Sequence, residues 1–372
     1  MKLRNESGKT ERRRLKVLFF VEAFGGGVFT YIVDLANGLS EKYDVCIAHG
    51  IREQTPKDYK NYFKKDITLI SVESYTREIN MVKDFKAFIE MKRIAKQVKP
   101  DIIHLHSTKS GVLGRLQFSA KKYGVFYTPH GYSFLMDDCS TAKKHMYRLI
   151  ERFFGQTNCM TIACSVGEYQ EALKLCKKSS YINNGINIEY LQQLLDKTEV
   201  KEKQKFLVFT LGRICYQKNP ELFNEVAKRL PHIKFLWIGD GEMRSVLTSK
   251  NIQITGWVSR EEALEYSRNA DVFLLTSLWE GLPISLLEAM FMKKLCIVTN
   301  VIGNRDVIAS GNNGFICKDV DEFVEVIEKV EKDKPGFDQV VAEAYQQILD
   351  EYNTKVMTQK YSDKYQEALE QV

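Results

Sequence analysis

Short apolar runs rich in β-branched and aromatic residues alternate with longer amphipathic segments along nearly the whole chain. This alternation predicts parallel strands that are covered by helices on both faces. The first series of predicted strands comprises residues 16–21, 43–48, 67–72, 102–106, 125–128 and 160–163. The second series comprises residues 206–211, 234–238, 252–254, 272–275, 296–299 and 314–316. Two such series in 372 residues predict two doubly wound α/β domains.

The boundary between the two series is expected near residues 184–203, and the charged stretch 197–205 is typical of a linker or a helix end. Four regions are predicted: a flexible basic extension (1–14), a first Rossmann-like domain (15–190), a second one (191–353) and a final amphipathic helix (354–372). No strand accompanies the final helix, so we expect it to cross back onto the first domain.

The composition is that of an ordinary globular protein, with 44% hydrophobic and 27% charged residues. No apolar run of about 18 residues occurs, so no membrane-spanning segment is predicted. The shorter run 15–24 contains charges and is interpreted as a first strand, not a signal peptide. The eight cysteines are scattered without a CxxC pair, which is typical of reduced thiols in a cytoplasmic protein.

The net charge of +6 is unevenly distributed. Residues 1–190 carry 31 Lys and Arg against 20 Asp and Glu, whereas the remainder carries 23 against 28. Basic residues interleave with aromatic ones over 57–65 and follow the polar face of a helix predicted over 84–98. They are either solvated or attract an anionic partner, such as the inner face of a plasma membrane. No nucleic-acid-binding module is present, so a nucleic-acid partner is disfavoured. The apolar stripe predicted for the same helix consists of Phe85, Phe88, Ile89, Ala95 and Val98.

A glycine-rich turn follows the first predicted strand and precedes a helix predicted over 30–39. Free N–H groups and the helix dipole favour an anion at such a position, and a tight turn without a ligand is the alternative. Thr30 stands where a dinucleotide-binding fingerprint has its third glycine, and no acidic residue ends the second strand. NAD binding is therefore disfavoured.

Two carboxylates flank a segment that follows the strand predicted over 272–275. Glu280 precedes a helix, and Glu288 lies within its apolar run, where an unpaired carboxylate would be costly. Eight residues of helix separate them by up to about 12 Å, so they cannot act as one acid/base pair. They are suited to hold opposite ends of one long ligand, with the helix N-terminus between them.

With this E-x7-E element the chain resembles glycosyltransferase family 4, whose GT-B fold sets two Rossmann-like domains face to face across a cleft. The other matching motifs, in chain order, are Gly26-Gly27, Asp101-Ile-Ile-His104-Leu-His106, Thr128-Pro-His130-Gly131, Asn184-Gly185-Ile186, Leu211-Gly-Arg213, Lys218-Asn219-Pro220, Ile238-Gly-Asp240-Gly241, Gly256-Trp257-Val258 and Ala270-Asp271-Val272. The resemblance covers nearly the whole chain. Val28, Phe29 and Thr30 depart from the small or acidic residues that often follow the family's first glycines.

The resemblance implies a role for each matching residue on the donor side. A donor diphosphate would contact Arg213, Lys218, Gly26, Gly27, Ile284 and Ser285. The ribose would contact Glu288, and the base would contact the backbone near Val258. The donor sugar would contact Glu280, Gly281, Leu282 and His130, of which Glu280 and His130 are the catalytic candidates. A surface Arg–Lys pair and a packed structural histidine are the alternatives.

On the acceptor side, His106 and Ser107 at the end of a strand are expected to border the pocket. No metal site is expected, because the Asp319-Val-Asp321 element precedes a helix and is explained by capping. No cofactor is expected beyond the nucleotide-sugar donor, most simply a UDP-sugar.

The function implied is a retaining hexosyltransferase that acts on a glycan or lipid-diphosphate-linked acceptor. In the family, the departing diphosphate is thought to help deprotonate the acceptor on the same face of the sugar. The alternatives are a sugar-nucleotide epimerase of the same fold and a non-catalytic sugar-nucleotide binder.

Overall fold

Two parallel sheets organise the chain in the computed structural model, which describes residues 13–76, 78, 80–198 and 205–370. The first sheet contains β1 (Lys16–Val21), β2 (Asp44–His49), β3 (Thr68–Ser71), β4 (Ile102–His106), β5 (Gly124–Thr128), β6 (Met160–Ala163) and β7 (Ser179–Tyr181), in the order β3-β2-β1-β4-β5-β6-β7. The second contains β8 (Leu207–Leu211), β9 (Lys234–Ile238), β10 (Ile252–Ile254), β11 (Val272–Leu275), β12 (Leu295–Thr299) and β13 (Phe315–Cys317), in the order β10-β9-β8-β11-β12-β13.

Helices cover both faces of each sheet. Before β8 they are α1 (Gly26–Leu39), α2 (Met81–Val98), α3 (Thr108–Gln117), α4 (Thr141–Gly155), α5 (Val166–Leu175) and α6 (Ile188–Lys197), the last of which packs in the core of the second domain. After β8 they are α7 (Pro220–Arg229), α8 (Arg260–Arg268), α9 (Ile284–Phe291), α10 (Asn304–Val307), α11 (Val320–Lys332), α12 (Asp338–Asp350) and α13 (Thr354–Leu369). Among the described residues no helix is both long and apolar enough to cross a membrane. The predicted fold, two Rossmann-like domains facing across a cleft, is confirmed.

Most of the predicted strands agree with the structure to within one or two residues. The edge strand β7 was missed because its residues, Ser-Ser-Tyr, lack the apolar β-branched pattern. Asp319 caps α11 by accepting a hydrogen bond from the backbone of Glu322, as predicted. Of the predicted linker, residues 199–204 lie outside the described residues, as do residues 1–12 of the predicted extension.

Two helix predictions were wrong in detail. The helix predicted over 30–39 begins at Gly26, so both glycines of the turn belong to its first residues. The apolar stripe predicted for α2 is only partly correct: Ala95 is buried and Phe88 and Val98 are half-buried, but Ala87, Met91 and Ile94 complete the buried face. Phe85 and Ile89 are instead 64% and 53% exposed.

The final helix α13 crosses back to the first domain, as predicted, and packs against α1. Tyr361 accepts a 2.6 Å hydrogen bond from the hydroxyl of Tyr31, and the hydroxyl of Tyr365 lies 2.6 Å from Nδ1 of His104. Both tyrosines are fully buried in the core of the first domain. The last helix of the chain therefore completes the core of its first domain.

A buried ion pair joins α3 to α4 on the opposite face of the first sheet. Glu151 accepts 2.8 Å hydrogen bonds from Nη2 of Arg115 and from the hydroxyl of Tyr127. The guanidinium also stacks 4.1 Å from the Tyr127 ring centroid. Gly111 allows this close approach, since a Cβ there would lie 2.3 Å from the Tyr127 ring. Both charged side chains are almost fully withdrawn from water, so neither tolerates loss of the other.

Glu151→Gln should lower the free energy of unfolding by about 3–5 kcal/mol, because it leaves the Arg115 charge buried without a counter-ion. Urea unfolding followed by circular dichroism measures the change. Glu225→Gln, which breaks an exposed pair with Lys228, is the matched control and should cost less than about 1 kcal/mol. Equal effects of the two variants would contradict a structural role for the buried pair.

Candidate functional site

A cleft with a cavity volume of about 2600 Å³ separates the two domains. Its walls come from loops and helix N-termini that follow the carboxyl ends of strands in both sheets, which is where open α/β sheets bind ligands. The predicted donor-site residues Gly26, Gly27, Arg213, Lys218, Val258, Glu280, Gly281, Leu282, Ile284, Ser285 and Glu288 all line this cleft, together with His130 and Ser107.

Each carboxylate of the E-x7-E element is buried and paired with a cation. Glu280 lies in the loop after β11 and accepts 2.6 Å hydrogen bonds from Nζ of Lys218 and from Oγ of Ser277. Glu288 lies in α9 and accepts a hydrogen bond from Nη2 of Arg260. The positive charges of Lys218 and Arg260 offset the free-energy cost of burying the two carboxylates. Helix α9 begins at Ile284, directly after Pro283, so its N-terminus lies between the two carboxylates in sequence.

Arg260 is a site residue that sequence reasoning missed. It opens α8 behind a capping box formed by Ser259 and Glu262, and only that box is visible in the sequence. Asp34 of α1 approaches from the other domain, and burial raises the pKa of its carboxyl to about 7, although the positive charge of Arg260 opposes the shift. Arg260 therefore stands between carboxylates of both domains.

The predicted cationic pair occupies one wall of the cleft. Arg213 follows β8 after Gly212, and its Nε donates a 2.9 Å hydrogen bond to Oε2 of Glu242. Lys218 ends a short 3-10 turn, and the Thr276 hydroxyl fixes that turn by donating to the Lys218 carbonyl at 2.7 Å. Arg213 and Lys218 are therefore each paired with a carboxylate, and a bound anion could replace that carboxylate as the partner.

His130 has a backbone conformation that few non-glycine residues adopt, with φ at +57°. The following Gly131 has φ at +94° and donates a 2.6 Å hydrogen bond from its N–H to Oε1 of Glu168. Glu168 is fully buried and also accepts from the backbone N–H of Cys164 at 2.7 Å. A left-handed histidine held this firmly at a cleft is typical of a functional position.

His130 of this loop contacts the buried His106, which in turn packs against the buried His104. Nε2 of His130 lies 3.1 Å from Nδ1 of His106, whose ring packs 4.0 Å from that of His104. His104 is also 2.9 Å from the Thr128 hydroxyl. Of the two residues expected to border the acceptor pocket, Ser107 lines the cleft, as does Lys109. His106 does not line it, because its side chain is fully buried and contacts His130.

Burial lowers the pKa of His104 and of His106 well below the ordinary value and lowers that of His130 to about 3. All three rings are neutral at pH 7, so the hydrogen bond between His130 and His106 joins one N–H and one bare nitrogen. His130 can therefore offer a hydrogen bond to a ligand without carrying charge.

The two domains meet at a backbone contact beside His130. A Cβ placed on Gly281 would lie 3.1 Å from the Gly131 nitrogen, and one placed on Gly303 would lie 2.5 Å from the Gly281 carbonyl oxygen. Asn184 of the first domain adds a 2.8 Å hydrogen bond to the Leu282 carbonyl. These contacts bring the histidine loop next to the segment that carries Glu280.

Two family models match the chain: "Glycosyltransferase Family 4" over residues 25–190 and "Glycosyl transferases group 1" over residues 192–348. An Escherichia coli relative, "UDP-Gal:alpha-D-GlcNAc-diphosphoundecaprenol alpha-1,3-galactosyltransferase", is 30% identical over 79% of this chain and 82% of its own length.

Solved structures share the fold. Sucrose-phosphate synthase from Thermosynechococcus elongatus superposes with a TM-score of 0.82 at 16% identity, over 96% of this chain and all of its own. HepE from Anabaena, in complex with UDP and glucose, superposes with a TM-score of 0.73 at 14% identity, over 94% of this chain and 98% of its own.

The free energy of unfolding should fall as the pH drops below about 6.5, because the unfolded chain then binds protons at histidines that the folded protein keeps neutral. The pKa values of these histidines are lower in the folded protein than in the unfolded chain. Their contribution to the free energy of unfolding is therefore fully present above about pH 6.5 and is lost as the pH falls towards the folded-state pKa values. His106→Gln removes one such group and should reduce the slope by up to about 1.4 kcal/mol per pH unit. Urea unfolding at several pH values tests this, with His145→Gln on α4 as the control. Parallel curves for wild type and His106→Gln would contradict it.

Proposed function

We propose that this chain, which belongs to glycosyltransferase family 4, transfers a hexose from a UDP-sugar, with retention of configuration and without a metal, to a lipid-diphosphate-linked or polysaccharide glycan intermediate. Its hexosyltransferase activity and its use of a sugar-nucleotide donor follow from the family. The finer statements rest on the cleft. The observation that supports them best is the pair of buried carboxylate–cation contacts on either side of the α9 N-terminus.

The donor fits this arrangement if the cations of the cleft exchange their carboxylate partners for the diphosphate. A diphosphate placed at the α9 N-terminus meets free N–H groups and the positive end of the helix dipole. Arg213 and Lys218 would turn from Glu242 and Glu280 towards its oxygens, since both cations line the cleft and would exchange one anion for another. Glu280 would then be free to accept hydrogen bonds from hydroxyls of the sugar. The exchange couples diphosphate binding to sugar recognition.

Other residues of the cleft support positions for the rest of the donor. Glu288 is held deeper, by Arg260, where ribose hydroxyls would donate to its carboxylate. The backbone at Val258 lines the same end of the cleft and would meet the base. His130 lies at the opposite end, where a neutral imidazole would donate a hydrogen bond to the sugar.

Transfer itself would need charge stabilisation more than a protein base. As the bond between the anomeric carbon and the diphosphate breaks, negative charge develops on the leaving group, next to Arg213, Lys218 and the α9 dipole. An oxygen of the departing diphosphate would accept the proton of the acceptor hydroxyl, which attacks from the same face. The cationic side chains here would do what a divalent metal does in other transferases, which supports a reaction that needs no metal.

The Escherichia coli relative suggests the chemical class of both substrates. Its name gives UDP-galactose as donor and a GlcNAc joined to diphosphoundecaprenol as acceptor. HepE was solved with UDP and glucose in the same fold. A UDP-hexose and a lipid-borne acceptor, met on the cytoplasmic side of the membrane, are therefore the substrates to test first.

The proposal is tested by ligand binding followed by transfer. UDP should raise the melting temperature more than GDP or ADP, and EDTA should leave the shift unchanged, since a ligand of the native state stabilises it. With a UDP-hexose and a lipid-diphosphate-linked GlcNAc analogue, NMR should show an axial linkage retained from the donor. Turnover of the donor without an acceptor would indicate an epimerase. No shift with any nucleotide would contradict the donor site.

Arg213→Ala combined with Lys218→Ala should weaken UDP binding by at least about tenfold, because charge-assisted hydrogen bonds to the diphosphate are lost. Isothermal calorimetry measures the affinity, and circular dichroism checks the fold. Lys228→Ala with Arg229→Ala, at the exposed end of α7, is the matched control for the loss of two cations. Equal affinity of the two double variants would remove the diphosphate role from Arg213 and Lys218.

A further inference from the structure

Helices α2, α3 and α4 leave large apolar side chains in water on one side of the first domain. All three cover the same face of the first sheet, and α3 contacts the other two. The exposed apolar residues are Met81, Val82, Phe85 and Ile89 of α2, Leu116 of α3, and Met146, Leu149 and Phe153 of α4. We call this set the outer helix face. Phe153 is 72% and Leu149 67% exposed, which no requirement of the domain core explains.

Helix α4 carries an apolar stripe on its solvent side in addition to its core contacts. Its inward side carries Glu151, Gly155 and Tyr147, which packs on the core, whereas Met146, Leu149 and Phe153 recur at three- and four-residue spacing on its solvent side. An amphipathic helix normally turns its apolar stripe to the core. An apolar stripe turned outwards, with basic residues beside it, is typical of a helix that lies in a membrane interface.

The charges of the three helices have one sign wherever they are exposed. The exposed charged residues are Lys83, Lys86, Lys92, Arg93 and Lys96 of α2, and Lys143, Arg148 and Arg152 of α4. The acidic residues of the same helices are withdrawn: Asp84 pairs with Lys109, Glu90 is half-buried beside Arg93, and Glu151 is buried against Arg115. The partner that fits an apolar face with a basic surround is an anionic lipid surface.

The outer helix face is continuous with the cleft. Tyr147, Ile150 and Phe154, on the flank of α4 next to its outward stripe, line the cleft, as do Val112 and Leu113 of α3. Helices α3 and α4 both follow strands of the first sheet in the chain. The apolar side chains that they contribute form a wall of the cleft between the two helices, beginning beside Ser107. A lipid surface at the outer helix face would therefore lie at the open end of an apolar path into the site.

Other candidate surfaces fit lipid less well. In the basic segment 57–65, Tyr59 and Phe63 pack inwards against Phe24, so the lysines remain without an apolar anchor. A second copy of the chain is disfavoured as the occupant of the outer helix face, because two identical basic faces would repel each other.

We propose that the outer helix face docks the protein on an anionic lipid surface, with the α3–α4 side of the cleft opening towards it. The usefulness of this docking rests on the proposed transfer to a lipid-linked acceptor. The physical evidence for it, exposed apolar side chains surrounded by cations, does not depend on that function.

Co-sedimentation with vesicles of phosphatidylcholine, with and without phosphatidylglycerol, tests the docking. The wild type should bind the mixed vesicles and lose binding as salt rises. Leu149→Ser with Phe153→Ser, and separately Phe85→Ser with Ile89→Ser, should each weaken binding by about tenfold or more, because two apolar anchors are removed. Circular dichroism melting checks that each variant is folded.

Two control variants locate the effect. Substituting Lys57, Lys60, Lys64 and Lys65 by Gln should leave most of the binding, as should Tyr266→Ser on α8 of the second domain. Loss of binding in the lysine variant, with the serine pairs behaving as wild type, would overturn the proposal, as would absence of wild-type binding. A concentration-dependent dimer that the serine pairs abolish would overturn it too, and would assign the face to a second copy.

The serine pairs should bind UDP as the wild type does, because none of the four residues lines the cleft. Calorimetry with UDP therefore separates the two proposals. Failure of vesicle binding with intact UDP binding rejects the docking alone, and failure of UDP binding in the wild type rejects the donor site alone.

Discussion

A carboxylate taken out of water needs a cation or several N–H groups close to it, and this need shapes the cleft. Glu280 is held by Lys218, Glu288 by Arg260 and Glu168 by two backbone N–H groups. The first two place cations where an anionic ligand is expected, and the third fixes the turn that carries His130. The charges that make the site costly to fold thus also prepare it for a ligand.

The same requirement explains why the cations of the cleft are already paired with carboxylates before a ligand binds. Arg213 and Lys218 each hold a carboxylate that a diphosphate would have to displace. The Arg213–Glu242 pair is partly solvated, where ion pairs contribute little net stability, and the buried Lys218–Glu280 pair would exchange one anion for another, so that Lys218 keeps a counter-ion. Glu288 is also buried, and its pair with Arg260 involves neither diphosphate cation, so it is suited to bind the nucleoside without losing its counter-ion.

Periodicity in the sequence was enough to predict the two sheets, because central parallel strands are mostly or wholly apolar, as in β11. It failed at β7, an edge strand with a polar sequence, and on α2, where the apolar residues outnumber the core positions. The E-x7-E carboxylates and the Arg213–Lys218 pair were found from motifs. Arg260, Asp34 and the burial of His106 were not, because each depends on a contact between segments far apart in sequence.

The crossing of α13 has a consequence for the order in which the protein can be made. Tyr361 and Tyr365 belong to the core of the first domain, yet the ribosome adds them only after the whole second domain. Domains generally fold as units during synthesis, starting from the N-terminus. Here the first domain must wait with an open hydrophobic groove along α1 until α13 has been synthesised. During that interval the nascent chain is most exposed to aggregation and to chaperones, and the cleft cannot take its final shape before the last helix arrives.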